Sequence, residues 1–553
     1  MSQPLAASTE PDYDFVVVGS GFGGSVAALR LGEKGYRVLV VEQGREWTPD
    51  RLPRTNWHLR DWLWWPAAGL RGFFGLRLFG RVVVLHGNAV GGGSITYAGT
   101  LLTPQEKVWQ QGGWAGLLDW PKEMAAHYAT ARRMLGVAQN ARIGPADERL
   151  AEMASALGQA SDFGLTRVGI YFGQPDEPPG TPHPDPYFDG EGPARASCIG
   201  CGGCMMGCRH GAKNTLDLNY LHLARRRGAE LLPETRVQTI RPRDSADGSA
   251  GYELLLAPVH GNRGAAKRRI TCRGVVCAAS SLGTQDLLLR MRGDGSLPAL
   301  SPALGKRVRT NAESLIGVRF PGGGVDLSLG VAIGSGFQLD ADTHIEATRY
   351  PAGSDAMGLI ATVMAQGRHR RLQWLGRLAF GALRHPLATW RLLRPRGFAR
   401  ESMILLCMQT VDGHLDMRLA RPWWWPFRRR LSAAGMRIPA NIPQASAFAR
   451  ALAARFGGQA MASLPEVLLD IPMTAHCLGG ACIGATADQG ACDAYGRAYG
   501  YRNFYLCDGS IVASNLGVNP SLTITALAEH VMHHVPHARD NDWRATGTER
   551  GSA

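Results

Sequence analysis

A dinucleotide-binding α/β fold is predicted by three features of this 553-residue sequence: an apolar run ending in a glycine-rich turn, a helix-like segment behind it, and a second apolar run closed by an acid. Phe15 to Val18 has the composition of a buried strand. Gly19-Ser20-Gly21-Phe22-Gly23-Gly24 follows, and a helical segment continues to about Lys34. Arg37 to Val41 reads as the next strand, and Glu42 ends it. In this Rossmann-like unit Gly19 makes the tight turn, Gly21 lets the main chain approach a pyrophosphate, and Gly24 lets helix and strand pack closely. The helix N-terminus faces the phosphate charge. Glu42, 18 residues beyond Gly24, stands near the separation expected of the carboxylate that accepts bonds from the adenosine ribose. On these residues alone FAD and NAD are both open.

Composition bounds the rest. With 45% apolar and 19% charged residues, the chain is not collagen-like, coiled-coil or wholly disordered. At about 150 residues per domain, two to four domains are expected. The 11 cysteines are an odd number and four crowd into residues 198 to 208, so a metal or redox site is expected in place of a disulfide framework. No apolar run free of charge or dense glycine is long enough for a spanning helix, and Met1 to Pro11 lacks the regions of an export signal. A cytoplasmic protein with reduced thiols is the expectation. The formal charge is +14, and residues 368 to 400 hold nine arginines and no acid among Leu372, Trp374, Leu375, Leu378, Phe380, Leu383, Trp390 and Phe398. A second cluster comprises Trp423, Trp424, Trp425, Phe427 and Arg428 to Arg430, and aromatics recur from Trp57 to Phe79. No nucleic-acid module surrounds either cluster, so no nucleic acid is expected as partner. Peripheral membrane contact and buried lid packing with solvated arginines both stay open.

Three further stretches carry chemistry. His86-Gly87-Asn88-Ala89-Val90-Gly91-Gly92-Gly93-Ser94 would let the main chain pass against a flat ring system at Gly91 to Gly93; a flexible surface loop is the alternative. Toward the C-terminus, Ala475-His476-Cys477-Leu478-Gly479-Gly480 precedes Tyr505-Leu506-Cys507-Asp508-Gly509-Ser510 and Gly517-Val518-Asn519-Pro520-Ser521. Pro520 suits a first helical position, and Ile524, Leu527, Ala528 and Val531 repeat at helical spacing. The positive end of that helix can therefore be aimed. Cys198, Cys201, Cys204 and Cys208 follow the Cys-x2-Cys-x2-Cys-x3-Cys spacing of bacterial iron-sulfur ferredoxins, with Arg209 where proline is usual. An iron-sulfur cluster, structural zinc and a thiol-rich structural loop are all open there.

Together these motifs resemble the glucose-methanol-choline (GMC) family of FAD oxidoreductases. Gly19 to Glu42 and His86 to Pro104 resemble its two N-terminal signatures, Ala278-Ala279-Ser280-Ser281-Leu282-Gly283-Thr284 resembles a third, and Val237 resembles the valine that meets the adenine. The resemblance implies FAD, bound through Gly19, Gly21, Gly24, Glu42, Gly91, Gly92, Gly93, Ser94, Val237, Asp508, Gly509 and Asn519. It implies a discontinuous FAD-binding domain from residues 12–50, 80–105, 210–315 and 488–540. Residues 106–209 and 316–487, including the cysteine-rich loop 198–208, would form an α+β substrate-binding domain on a mainly antiparallel sheet.

By resemblance to the sterol-oxidising members, His476 binds or deprotonates the alcohol and Asn519 orients it and polarises the flavin. Glu346, in His344-Ile345-Glu346-Ala347-Thr348-Arg349-Tyr350-Pro351-Ala352-Gly353, would move a proton during double-bond isomerisation. The implied reaction is oxidation of a hydrophobic alcohol, a sterol or related lipid 3-hydroxyl, to the ketone by hydride transfer, with oxygen or an external acceptor taking the electrons. Some dehydrogenases of the family carry an iron-sulfur site in a similarly placed cysteine-rich stretch, which implies as alternative a relay to a quinone or cytochrome. A membrane-associated electron-transfer flavoprotein without alcohol chemistry is the reading from another class. Thr96-Tyr97-Ala98-Gly99 departs from the Asn-Gly-Gly common beside the flavin in sterol oxidases, and Cys477 stands where many relatives have proline.

Overall fold

The computed structural model describes residues 10–260, 266–367, 369–384, 386–421, 427, 429–541 and 543. Trp423, Trp424, Trp425 and Arg428 of the second aromatic-arginine cluster lie outside them. Two seven-stranded sheets organise the chain. The first has the order Glu230–Leu232, Val38–Val41, Tyr13–Val18, Arg268–Cys277, Tyr252–Pro258 and Thr235–Pro242, with Phe504–Leu506 also paired to Arg268–Cys277. Pairing is parallel from Glu230–Leu232 through Arg268–Cys277 and on to Phe504–Leu506. Val16, Val17, Val38 to Val41 and Val275 to Cys277 are buried, the unbroken apolar run of strands covered on both faces. All these parallel strands finish on one edge. The segments that follow them, Gly19 to Gly24, Glu42, Ala278 to Thr284 and Cys507 to Gly509, therefore crowd together where open α/β sheets bind their ligands.

The second sheet is antiparallel throughout, in the order Ala361–Val363, Gln459–Ser463, Ser314–Arg319, Ser402–Gln409, Thr343–Thr348, Ile333–Gln338 and Phe163–Leu165. This is the mainly antiparallel sheet that the resemblance implies. One face, with Ile316, Val318, Ile345, Ala347 and Cys407, is covered by Leu150 of the Pro145–Ala156 helix and Phe448 and Leu452 of the Pro443–Phe456 helix. Ser314 and Ile345 both stand opposite Cys407. Residues one step away therefore share the other face, because side chains alternate along a strand. Those residues include Glu313, His344 and Glu346.

A buried ion pair ties this sheet to its covering helix. Arg349, just after Thr343–Thr348, donates to both carboxylate oxygens of Asp147 at 2.8 and 2.6 Å, and neither side chain is exposed. Removing one partner leaves the other charge buried and unpaired. Arg349→Met is expected to cost about 3–5 kcal/mol, read as a lower midpoint of chemical unfolding. Arg455→Met, which breaks the half-exposed Arg455–Glu152 pair, is expected to cost at most about 1 kcal/mol.

Candidate active site

The glycines at the sheet edge divide by what surrounds them. Gly19 has φ +100°, and a Cβ there would lie 2.4 Å from the Ala278 carbonyl oxygen. A Cβ on Gly24 would lie 1.9 Å from the Gly19 carbonyl oxygen, and one on Gly23 would lie 1.4 Å from that of Cys507. Gly21 is different, since its nearest neighbour would be the Gly92 Cα at 3.9 Å. It caps the Phe22–Glu33 helix without a side-chain hydrogen bond, so the helix amides face open space. An uncapped N-terminus behind an open glycine turn fits the pyrophosphate of FAD.

The second glycine stretch closes on the first. At Gly92 a Cβ would stand 2.5 Å from the Gly21 Cα. Ser20 joins both turns to Glu42: its hydroxyl accepts from the Gly91 amide at 3.1 Å, and its amide and hydroxyl donate to Glu42 Oε2 at 2.9 and 2.8 Å. The Gly44 amide donates to Glu42 Oε1 at 2.8 Å. Burial raises the Glu42 pKa against these bonds. Ser94 donates to the Gly91 carbonyl at 2.7 Å and accepts from the Leu216 amide at 3.0 Å. Gly93 has only the Phe22 ring within reach of a Cβ, at 3.9 Å. Val237 is buried where the strand register breaks between Val237 and Thr239. Asp508 accepts from Thr284 at 2.6 Å and from the Ser510 amide at 2.7 Å, with burial raising its pKa. Gly509 fits between Leu478 and Ile524.

His476, Asn519 and Glu346 come together with a residue that the sequence reading missed, Glu313. His476 Nδ1 lies 3.1 Å from Glu313 Oε2, and the carboxylate also accepts from the Thr474 hydroxyl at 2.7 Å and the Ala475 amide at 3.1 Å. Asn519 Nδ2 donates to Glu346 Oε2 at 3.1 Å, while His344 Nε2 stands 3.5 Å from Oε1. Asn519 and both glutamates are buried, whereas 13% of the His476 side chain stays exposed. The Ser521–His533 helix starts just beyond Asn519, with Pro520 in the capping position one residue before the expected one. Asn311 sets the approach: its Oδ1 accepts from the Leu516 and Gly517 amides, each at 2.9 Å, and its Nδ2 donates to the Val518 carbonyl at 2.9 Å. Asn311 and Ala312 have φ +58° and +43°, a strain that clusters at functional sites. The one hint of Glu313 in the sequence is an acid two residues before the apolar pair Leu315-Ile316.

The four loop cysteines line one small pocket with Ile170, His210 and Lys213. Backbone amides of Gly200, Lys213 and Ala332 donate to the sulfurs of Cys198, Cys208 and Cys204 at 3.4, 3.4 and 3.5 Å. Burial raises the Cys198 thiol to about 12 and also raises Cys201 and Cys204. The Arg370–Arg384 helix turns Trp374 inward, where it donates to Thr362 at 2.8 Å, and leaves Leu372, Leu375, Phe380 and Leu383 exposed. The earlier aromatic stretch is mixed: Trp62, Phe73, Phe74 and Phe79 are buried, while Trp57 and Trp65 are exposed.

The description "NAD(P)-binding Rossmann-like domain" matches residues 17–47, and "GMC oxidoreductase" matches residues 194–308 and 444–528. With the fold and site above, these matches define an FAD-dependent oxidoreductase acting on CH–OH groups. The chain is 50% identical over 529 residues to a cholesterol oxidase of Acinetobacter baumannii, spanning 95% of this chain and 94% of that protein. It is 42% identical over 546 residues to a cholesterol oxidase of Mycobacterium tuberculosis, spanning 97% and 93%. The chain belongs to the GMC oxidoreductase family. Pyridoxine 4-oxidase of Mesorbium loti shares its fold at TM-score 0.60 and 16% identity, over 94% of this chain and 99% of that one.

Burial alone lowers the His476 pKa, but the Glu313 carboxylate, with Glu346 behind it, outweighs burial and holds the imidazole above its ordinary 6.5. A raised folded value means that the pair stabilises the fold in full below about pH 6.5 and loses that contribution as pH rises through the folded pKa. In Glu313→Gln the burial effect is left less opposed, so a histidine-selective NMR titration should find the His476 pKa lower than in the parent enzyme. An unchanged value would remove Glu313 as its cause.

Proposed function

We propose that this enzyme oxidises a hydrophobic secondary alcohol, a sterol or related lipid 3-hydroxyl, to the ketone by hydride transfer to FAD. The observation that carries this reading is the pair of backed side chains, His476 on Glu313 and Asn519 on Glu346, at the face of the antiparallel sheet. Bound FAD supplies the acceptor for the carbinol hydride. His476 keeps Nε2 for the hydroxyl and takes its proton as general base, and Glu313 stabilises the imidazolium that forms. Asn519 uses one Nδ2 hydrogen on Glu346 and keeps the other for the hydroxyl oxygen. The uncapped start of the Ser521–His533 helix favours negative charge beside Asn519. Glu346 has one oxygen anchored by Asn519 and the other without a hydrogen bond, which suits a carboxylate that carries a proton during isomerisation of the product.

Similarity to cholesterol oxidases supports the sterol class and oxygen as acceptor. The exposed apolar side chains among arginines on the Arg370–Arg384 and Pro386–Leu393 helices support peripheral contact with an anionic membrane surface. No helix among the described residues is long and apolar enough to cross a membrane. Residues 12–50, 80–105, 210–315 and 488–540 are assigned to the FAD-binding domain on the same reading: all but 80–105 supply strands of the first sheet, and 80–105 carries the glycine stretch that closes on Gly21. Residues 106–209 and 316–487 form the substrate-binding domain.

A second reading of the electron path is favoured by the cysteine loop, where four thiols line one cavity and three of them accept backbone hydrogen bonds, the kind of contact that tunes iron-sulfur clusters. Such a cluster would supply one-electron relay to an external acceptor.

Two measurements test these readings. His476→Gln is expected to slow anaerobic flavin reduction by sterols about 10²–10⁴-fold with FAD still bound, and an unchanged rate would reject its role. Iron and acid-labile sulfide in the purified enzyme, lost in Cys204→Ser, are expected for the relay. Iron-free enzyme that consumes oxygen and releases hydrogen peroxide would leave the oxidase reading alone.

A further inference from the structure

Away from the alcohol site, the Trp120–Met134 and Ser521–His533 helices pack against each other. Tyr128 and Thr523 hydrogen-bond between them at 2.9 Å. At the other end of this contact, Glu123 and His127 lie four residues apart on one helix and so share a face. His530 meets them from the second helix. It is fully buried, and its Nε2 lies 2.9 Å from the Ala494 carbonyl oxygen. A carbonyl only accepts, so Nε2 carries the hydrogen and the neutral ring presents a lone pair at Nδ1. That lone pair faces Glu123 Oε1 at 3.1 Å, and Nδ1 has no hydrogen bond. Two groups facing each other at this distance are held by a proton on Nδ1 or by a metal ion between them, and the third residue beside them decides for the ion.

His127 supplies the third ligand. The ligand atoms of Glu123, His127 and His530 all lie within 4.8 Å of one another, close to the reach of a single ion with bonds of about 2.0–2.2 Å. We propose that these three residues form a binding site for a divalent transition-metal ion, zinc by the class of its ligands, which clamps the two helices together. Two imidazoles and a carboxylate are a known zinc set with an open position. The Ala494 carbonyl does what an outer-shell acceptor does at such sites, fixing the ring and its tautomer. Glu123, 37% exposed, leaves a path of entry. The ion would sit in the last turn of the Ser521–His533 helix, where the dipole favours a cation. That is about 15 Å along the helix from Asn519, so the ion holds the helix that presents Asn519 and takes no part in the reaction. The competing arrangement is a proton on His530 Nδ1, giving a plain imidazolium–carboxylate pair.

Cobalt(II) added to chelator-treated holoenzyme separates the two, because a histidine–carboxylate site gives ligand-field bands without the thiolate charge-transfer band of a cysteine site. The parent enzyme is expected to bind one such equivalent, with a rise in Tm, and to release it to added zinc. His127→Ala and Glu123→Gln should each lose that equivalent and the Tm rise while retaining FAD absorbance. Glu123→Gln keeps the size of the side chain, so it guards against a folding defect at His127. Equal uptake and equal Tm rise in parent and variants, or a parent enzyme that takes up no cobalt outside thiolate sites, would overturn the proposal and leave the protonated pair.

Discussion

Backbone laid directly on backbone at the edge of the parallel sheet is the constraint from which the rest follows. Gly19 abuts Ala278, Gly24 abuts Gly19, Gly23 abuts Cys507 and Gly92 abuts Gly21, each closely enough that a single methyl group would collide. These contacts bring four distant parts of the chain to one place: the first turn, the second glycine stretch, the start of the helix after Cys277, and the segment leading to Asn519. A core of apolar side chains could hold the same strands at ordinary spacing. It could not bring main-chain amides this near to one another, and amides are what a pyrophosphate needs. Ser20 and Glu42 complete the arrangement: the Gly91 amide of the second turn donates to the Ser20 hydroxyl, and the Ser20 amide and hydroxyl and the Gly44 amide donate to the buried Glu42 carboxylate.

The antiparallel sheet contributes charge where the parallel sheet contributes close approach. Its register sets Glu346 opposite Leu406, and Glu313 directly precedes the strand whose first residue, Ser314, stands opposite Cys407. Both carboxylates are buried, Glu313 beside His476 and Glu346 with one oxygen on Asn519 and the other without a hydrogen bond. This arrangement makes the pair cooperative. The negative charge that offsets the burial of His476 comes chiefly from Glu313 and secondarily from Glu346, so the Asn519 anchor also acts electrostatically on the base.

How far the site was legible depended on whether its cause was local. Gly19, Gly21, Gly24 and Glu42 were readable because a strand, a turn and a helix in immediate succession impose their spacing, and the structure gives those glycines distinct surroundings. His476 and Asn519 were readable only through resemblance, since nothing around either residue marks it chemically in the sequence. Glu313 escaped altogether. Its role comes from contact with His476, some 160 residues away in the chain, and no local pattern encodes such a partner. The same holds for Asn311, whose three hydrogen bonds reach residues 516 to 518. The aromatic residues from Trp57 to Phe79 illustrate the converse: composition left an interfacial surface and buried packing both open, and the structure divides them, with Trp62 stacked on Phe74 at 4.5 Å in a packed cluster and Trp65 outside.

Lys213 shows how the cysteine loop and the flavin-side loop are made into one body. It is buried, and its ammonium donates to the carbonyls of Cys204, Ile95 and Tyr97 at 2.7, 2.9 and 3.1 Å. Three carbonyls satisfy its three hydrogens, though burial still draws its pKa down to about 8. An ammonium held only by neutral acceptors is an expensive way to join two loops. The Asp217 carboxylate acts against that cost by raising the Lys213 pKa, whereas burial raises the thiols of Cys198, Cys201 and Cys204 and so favours their neutral form. The Tyr97 ring, 4.9 Å from the same nitrogen and 5.6 Å from Phe22, continues this contact to the first residue of the helix behind the glycine turn.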